Sequence, residues 1–396
     1  MAGQGNKKRT VRQSAPSLLQ IVDILSNEDN GKTSVSVLNG TVRVLFWESI
    51  LADTVSASVV FTDSGNTMTR TKNTRRGTRK SKSKVSAVEG LPILGEETVR
   101  LKFTDNDDNT IDYNLFINKV TALPTDSQTT TKSYDISLVS QEFLDNEKVR
   151  VRVCRRGEIS DHAKFILEDV LKTEKDINLD DTISPLDWIG KNKKPFWNIN
   201  KLSMKAVSAE NQEFGLSSGY FFWETSEGYH FKSIDTLLAG EQKKSIIYNE
   251  TPESAGTPAG YDIKALTLDV NNRINVQDKL SKGAYSSRRI VFDPFTTEYD
   301  VKTIRAFDKG VQDKLKMAGK SLPVFNKKFE KEGMDSEFSK TTFLLASTGQ
   351  LNMGETEEQI EKSKEENLKV KEIVNQSMMR YNQLFASQIT ITIPGE

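Results

Sequence analysis

Two runs decide the fold class: Thr41-Val42-Arg43-Val44-Leu45-Phe46-Trp47 and Ser56-Ala57-Ser58-Val59-Val60-Phe61. Both are rich in β-branched and aromatic side chains, which suit a pleated, half-buried surface. Asn39-Gly40 separates the first run from Val35 and Val37, and that dipeptide between β-type runs signals a hairpin. Downstream, Glu97-Thr98-Val99-Arg100-Leu101-Lys102-Phe103 alternates apolar and polar residues with period two. Residues 111–117 and 133–139 continue the pattern, and Asn106 to Asn109 supplies a turn. Several short strands joined by turns indicate a barrel or a sandwich.

Upstream, residues 1–34 read as a flexible N-terminal arm, basic at first, whose apolar stretch 17–26 is too short to assign to helix or strand. Beyond residue 145 the pattern is mixed. Residues 161–172 carry Phe165, Ile166, Val170 and Leu171 at helical spacing, with Ser160 or Asp161 as N-cap. A short helical turn is expected at 202–207. Tyr220 to Trp223 and Tyr229 to Lys232 form a hairpin around Ser226-Glu227-Gly228, followed by a helical turn from Asp235. Residues 250–261 read as a Pro/Gly/Ser hinge, 262–280 as partly helical, 289–303 as strand and 318–339 as irregular. Residues 355–387 form the best helix, with an amphipathic stripe and acidic residues in its first turn. Gln388-Ile389-Thr390-Ile391-Thr392-Ile393 is a strand with one Ile face and one Thr face. The fold class is therefore α+β, multi-domain and mainly antiparallel β.

Composition narrows the function classes. The 396 residues are 36% hydrophobic and 28% charged, as in a soluble globular chain of two to four domains. Lys plus Arg equals Asp plus Glu at 55 each, so no partner is selected by net charge. Cys154 is the only cysteine, which excludes an intrachain disulfide and a thiolate zinc cluster. Only His162 and His230 supply imidazole, the commonest acid–base group near neutrality, so catalysis is disfavoured. No apolar run reaches the roughly 18 residues a membrane span needs, so no membrane insertion is expected. Residues 1–14 lack the apolar core of a secretory signal, so a product made in the cytoplasm is expected.

Three local motifs favour loops over chemistry. Gly215-Leu216-Ser217-Ser218-Gly219 matches GxSxG, but a strand follows it where a nucleophile elbow needs a helix. Ala318-Gly319-Lys320-Ser321 resembles the tail of a P-loop, yet Lys314 stands where the first glycine is required. Asp105 to Asn109 is dense in oxygen ligands but lacks the glycine and terminal glutamate of an EF-hand loop. The sharpest charge feature carries Arg70, Lys72, Arg75, Arg76, Arg79, Lys80, Lys82 and Lys84 with no acidic residue. Such a run neutralises phosphates or acidic surfaces, or is simply a solvated loop. It lacks aromatic side chains to stack bases.

Four blocks carry a family likeness. They are residues 42–51 with Val59-Val60-Phe61-Thr62-Asp63-Ser64-Gly65, and Gly219-Tyr220-Phe221-Phe222-Trp223-Glu224 with residues 231–235. Residues 283–289 with Asp293-Pro294, and the stretch from Arg380-Tyr381-Asn382 to Pro394-Gly395, complete them. In order and spacing they resemble the baseplate central hub proteins of contractile-tailed bacteriophages, the cyanophage type in particular. The resemblance implies a virion protein without enzyme activity or cofactor. It implies a homotrimer of the tail baseplate, assembled in the host cytoplasm, in which each chain gives two tail-tube-like β-barrels, adapting the sixfold tail tube to the threefold central spike, which often bears a lysozyme. Baseplate wedge or tape-measure proteins are the further partners, and DNA passes through the ring. On this reading the domains are the arm 1–34, a first barrel 35–145 with the basic insertion 68–92, and a mixed α/β domain 146–239. A second barrel takes 240–304 and 386–396, interrupted by an insertion 305–385 with the long helix 355–387. The family's second barrel continues past the strand matched by Ile389 to Ile393, so here it is expected to be incomplete or completed by another chain. The alternative is a nucleic-acid-binding or packaging-associated protein acting through residues 70–84.

Overall fold

The computed structural model describes residues 18–27, 31–65, 68–73, 80–91, 93–104, 110–123, 131–183, 185–209, 218–249, 257–272, 275–293, 297–306, 316–317, 320–321, 340–345, 370–384 and 388–394. The chain begins with β1 (Leu18–Leu25), β2 (Ser34–Ser36), β3 (Thr41–Trp47), β4 (Ser56–Asp63), β5 (Met68–Asn73), β6 (Lys80–Val85), the short helix α1 (Ala87–Gly90), β7 (Thr98–Thr104), β8 (Thr110–Leu123) and β9 (Lys132–Val139). Seven of these strands form one sheet in the order β2-β1-β7-β8-β9-β4-β3, all antiparallel.

Period-two alternation gives this sheet one dry face. Ala57, Val59 and Phe61 of β4 meet Leu115, Ile117, Ile136 and Leu138 in the core, while Ser56, Ser58 and Val60 face outward. The two ends of the strand order, β2 and β3, follow one another in sequence through a single 3-10 turn, Leu38–Gly40. The sheet therefore curls. Gly40 is needed at the join, because a Cβ there would lie 2.3 Å from the carbonyl oxygen of Thr62.

The supposed arm 1–34 is corrected at its distal part. Leu18–Leu25 is an inner strand paired with both β2 and β7, and Val22 and Ile24 are fully buried. A bulge between Leu19 and Ile21 offsets the alternation by one residue, which hides the strand in the sequence.

The mixed part contains α2 (Gln141–Lys148), β10 (Cys154–Gly157), α3 (Ile159–Phe165), β11 (Ile177–Leu179), β12 (Leu186–Ile189), α4 (Pro195–Ser203), β13 (Tyr220–Thr225), β14 (Gly228–Ser233) and α5 (Ile234–Ala239). The helix expected over 161–172 starts earlier, with Glu158 as N-cap, and its second half, Ile166–Val170, is π-helical. The turn expected at 202–207 is the end of α4, which Pro195 opens with its pre-set φ. Strand β14 lies between β13, antiparallel, and β11, parallel. Phe196, Ile199 and Leu202 of α4 pack with Phe222, Tyr229 and Phe231 in a second core.

The last part contains β15 (Ile246–Ile247), β16 (Ile263–Lys264), β17 (Thr267–Asn272), α6 (Val276–Lys282), β18 (Ser286–Asp293), β19 (Glu298–Arg305), β20 (Lys316–Met317), β21 (Lys320–Ser321), β22 (Lys340–Leu345), α7 (Val370–Leu384) and β23 (Gln388–Thr392). Region 262–280 is strand before it is helix, and α6 is closed by Asn275 at its start and left-handed Gly283 at its end. Among the described residues the strands form separate small sheets, β15-β16, β17-β23, β19-β18-β22 and β20-β21. Strand β22, assigned from sequence to the insertion 305–385, pairs in parallel with β18. Of the helix expected over 355–387, residues 370–384 are helical and the rest lies outside the described residues. Asp105 to Asn109 and Gly215 to Ser217 also lie outside them. Lys320 and Ser321 sit in a β-ribbon with Lys316 and Met317, where a P-loop would start a helix.

Candidate assembly site

The hairpin β13–β14 and the helix α5 after it form a hub between the other parts of the chain. At one end stands Glu224, fully buried within an aromatic run. Its carboxylate accepts from the Val55 N–H at 2.9 Å and from the Tyr113 hydroxyl at 2.5 Å, both in the first sheet region. The Lys175 ammonium lies 2.5 Å from Glu224 and 2.5 Å from Glu142, whose other oxygen accepts from Thr173 at 2.6 Å. Two buried acids thus share one cation, and neutral donors take up the remaining acceptor capacity. Burial and then the Glu224 charge push the Tyr113 phenol upward, so it stays a donor. Two further bonds tie the same parts: Ser226 N–H to Glu48 at 2.5 Å, and Asn200 to Asp53 at 2.8 Å.

At the other end stands Asp235. Arg380 of α7 is fully buried and donates to Asp235 at 2.6 Å and to the Ser218 carbonyl. Tyr381 donates to the Tyr220 carbonyl and packs edge-on against Phe221 at 5.1 Å between centroids. Burial raises its phenol to about 12. Ser377 donates to the Met204 carbonyl at 2.9 Å, and Asn382 to the Lys282 carbonyl at 2.8 Å. Three of the four sequence blocks, those around Tyr220, Gly283 and Arg380, therefore meet in space.

Two β-surfaces are left uncovered among the described residues. In the ribbon β17–β23, Leu268 faces Ile391 in register, and Leu266, Leu268, Ile389, Ile391 and Ile393 are 39–58% exposed. In the sheet β19-β18-β22, α7 lies against β18 and β19, and Ser287, Arg289 and Ile304, which share one face by register, are buried. The other face aligns Val301, Ile290 and Phe343, with Phe292 beside Tyr299. Phe343 is 79% and Tyr299 72% exposed. Each such ring contributes roughly 1.5–3 kcal/mol when fully removed from water.

The basic run is a second candidate surface. Arg70 and Lys72 lie on β5, and Lys80, Lys82 and Lys84 on β6; Arg75, Arg76 and Arg79 lie outside the described residues. The antiparallel register sets Arg70 opposite Ser83 and Lys72 opposite Ser81, and places Lys80, Lys82 and Lys84 opposite Asn73, Thr71 and Thr69. The segment thus includes a two-stranded ribbon rather than being a plain loop. The sequence reading missed Lys175, Glu142 and Glu224 as a group. Its one local signal was a lone carboxylate closing the run Tyr220-Phe221-Phe222-Trp223.

No known protein family matches the chain, and no curated protein does. Among solved structures the chain is similar to the 43 kDa tail protein of prophage MuSo2 from Shewanella oneidensis, at 7% identity and a TM-score of 0.46, covering 94% of this chain and 82% of that one. It is also similar to a tail protein from Neisseria meningitidis, at 9% identity and a TM-score of 0.44, covering 96% and 81%. A prophage tail protein from Listeria monocytogenes follows at 8% identity and a TM-score of 0.37, covering 82% and 73%.

Proposed function

We propose that this chain is a non-enzymatic structural subunit of a contractile-tail baseplate hub. It assembles as a homotrimer, adapts the sixfold tail tube to the threefold spike, and forms part of the DNA conduit. The observation that carries this reading is the exposed aromatic face of β19-β18-β22, mounted on a frame whose other parts are locked by buried polar bonds. Strand surfaces of this kind are costly in water and are covered in an assembly. The ribbon β17–β23 adds a second open apolar face on which a neighbouring subunit docks. The resemblance of the blocks around Val42, Tyr220, Gly283 and Arg380 supports the same class.

Sedimentation equilibrium tests the reading. The expected result is a trimer at micromolar concentration. The pair Tyr299→Asp and Phe343→Asp should shift it to monomer with an unchanged far-ultraviolet spectrum and melting midpoint. A wild-type chain that stays monomeric throughout this range overturns the reading.

A further inference from the structure

Residues 191–205 carry a charge pattern that neither buried junction uses. Lys193, Trp197, Lys201 and Lys205 recur at four-residue spacing through α4 and just beyond it. Four residues of helix advance by about 6 Å, so Trp197 and Lys201 share one face, opposite Phe196, Ile199 and Leu202 in the core. Trp197 is 40% exposed, and the ammonium groups of Lys193 and Lys201 each lie 5.7 Å from its ring centroid. Lys191, in a left-handed turn with Asn192, adds a further cation. Among the described residues Lys194 pairs with Glu147 at 2.5 Å, whereas Lys191, Lys193, Lys201 and Lys205 have no carboxylate within ion-pair distance. Burial, then Lys191 and Lys201, push the Lys205 ammonium down to about 8, so these cations act on one another. Three lysines also stand at the N-terminal end of α4, where the helix dipole favours anions. An anionic surface seated on the stripe would relieve this mutual repulsion.

The same part of the chain holds a surface of the opposite sign. A recess of about 470 Å³ between α3 and β11 is lined by Asp161, Glu168, Glu174, Asp176 and Asp181. All five are exposed. Two lysines line it too, but Lys175 is held by Glu142 and Glu224, which leaves Lys164, 3.8 Å from Glu168. Nearby Glu158 is raised by burial and then by Asp161 and Asp181, so the acids act on one another as the lysines do.

The geometry points to head-to-tail docking between copies of this chain, the basic Trp197 stripe of one copy seating against the acidic α3–β11 recess of the next. This rests on the self-assembly reading above and names its electrostatic contact. Two different, complementary patches on one chain make a heterologous interface, which closes into a ring when the rotation between copies is right. Complementary charge sets register and speeds encounter, and the exposed indole supplies an apolar anchor of the kind that dominates interfaces.

The test is charge reversal in the full chain, read by sedimentation at low and high salt. Lys193→Glu with Lys201→Glu reverses the stripe, and Glu174→Lys with Asp181→Lys reverses the recess. All four sites are exposed, so circular dichroism should stay unchanged. Each reversed chain should self-associate at least tenfold more weakly than wild type, and the chain carrying all four substitutions should recover association. If the wild type assembles and the stripe variant assembles equally well, the docking is overturned while the assembly reading stands. Loss without recovery in the fourfold variant places the acidic partner on another molecule and overturns it too. So does a salt-dependent affinity for a single-stranded oligodeoxynucleotide that Trp197→Ala removes. A wild type that never associates fails both readings together.

Discussion

Replacing Glu224 with alanine should unfasten the first sheet from the mixed part of the chain. The carboxylate accepts from the Val55 N–H and the Tyr113 hydroxyl, and truncation leaves both donors without it. An unsatisfied buried donor costs about 1–3 kcal/mol. Lys175 keeps Glu142 at 2.5 Å, so its charge is not orphaned. The sum of the two donors and the lost ion pair is about 3–5 kcal/mol, the range for removing one partner of a buried pair. Urea unfolding should be followed by tryptophan fluorescence, since three of the four tryptophans, Trp188, Trp197 and Trp223, lie in the mixed part, and by circular dichroism for the whole chain. The wild type should show coincident transitions, and the variant two separated ones. Glu224→Gln should fall between, because its carbonyl still accepts one bond while its amide faces the Lys175 ammonium. A loss below about 1 kcal/mol with coincident transitions would refute the view that this carboxylate couples the two parts.

Two further outcomes test the frame itself. His162 is fully buried, donates through Nε2 to the Leu186 carbonyl at 2.9 Å, and is held below its ordinary pKa of 6.5 by burial, with Arg155 opposing and Asp161 and Asp187 favouring the charge. A depressed histidine binds more protons unfolded than folded, so its contribution to stability is complete above the unfolded value of about 6.5 and is lost as the pH falls from there through its lower folded value. The urea midpoint should drop between pH 7.5 and 5.5, and His162→Gln should flatten that slope; an equal slope in both chains would contradict it. Gly228 has φ +128°, and a Cβ there would lie 2.2 Å from the Asp176 carbonyl oxygen. Gly228→Ala should therefore cost on the order of 1–3 kcal/mol or more by parting β11 from β14, and an unaltered thermal midpoint would rule out that close approach.

The legible parts of the fold were those whose pattern closes over a few residues. β4, β7 and the hairpin β13–β14 follow from alternation and turn residues, and β3 from its β-type composition. Asn39-Gly40 does not make the expected hairpin: it joins β2 and β3 at opposite ends of the strand order, where they pair with β1 and β4 instead. β1 was hidden by its bulge, and α4 by its shortness, its apolar stripe of Phe196, Ile199 and Leu202 being set among Lys, Asn and an exposed Trp. The buried junctions were illegible for a different reason. Val55 lies 169 residues from Glu224, and Asp235 lies 145 from Arg380, so nothing local marks them as partners. The blocks around Tyr220 and Arg380 stood out as words, but their chemistry exists only once the chain has folded. The uncovered face of β18 was equally invisible, since strands with period-two apolar residues are ordinarily read as buried.

The pairing of β17 with β23 has a consequence for biosynthesis. Thr267 and Thr392 exchange a hydroxyl hydrogen bond across a separation of 125 residues, and Arg380 reaches back across 145. A contact of such span cannot form until its second strand has left the ribosome, whereas the first curled sheet is complete by residue 139. The ribbon β17–β23 is thus finished long after the first sheet. A nascent chain therefore carries a finished first sheet well before it presents the open apolar face of that ribbon.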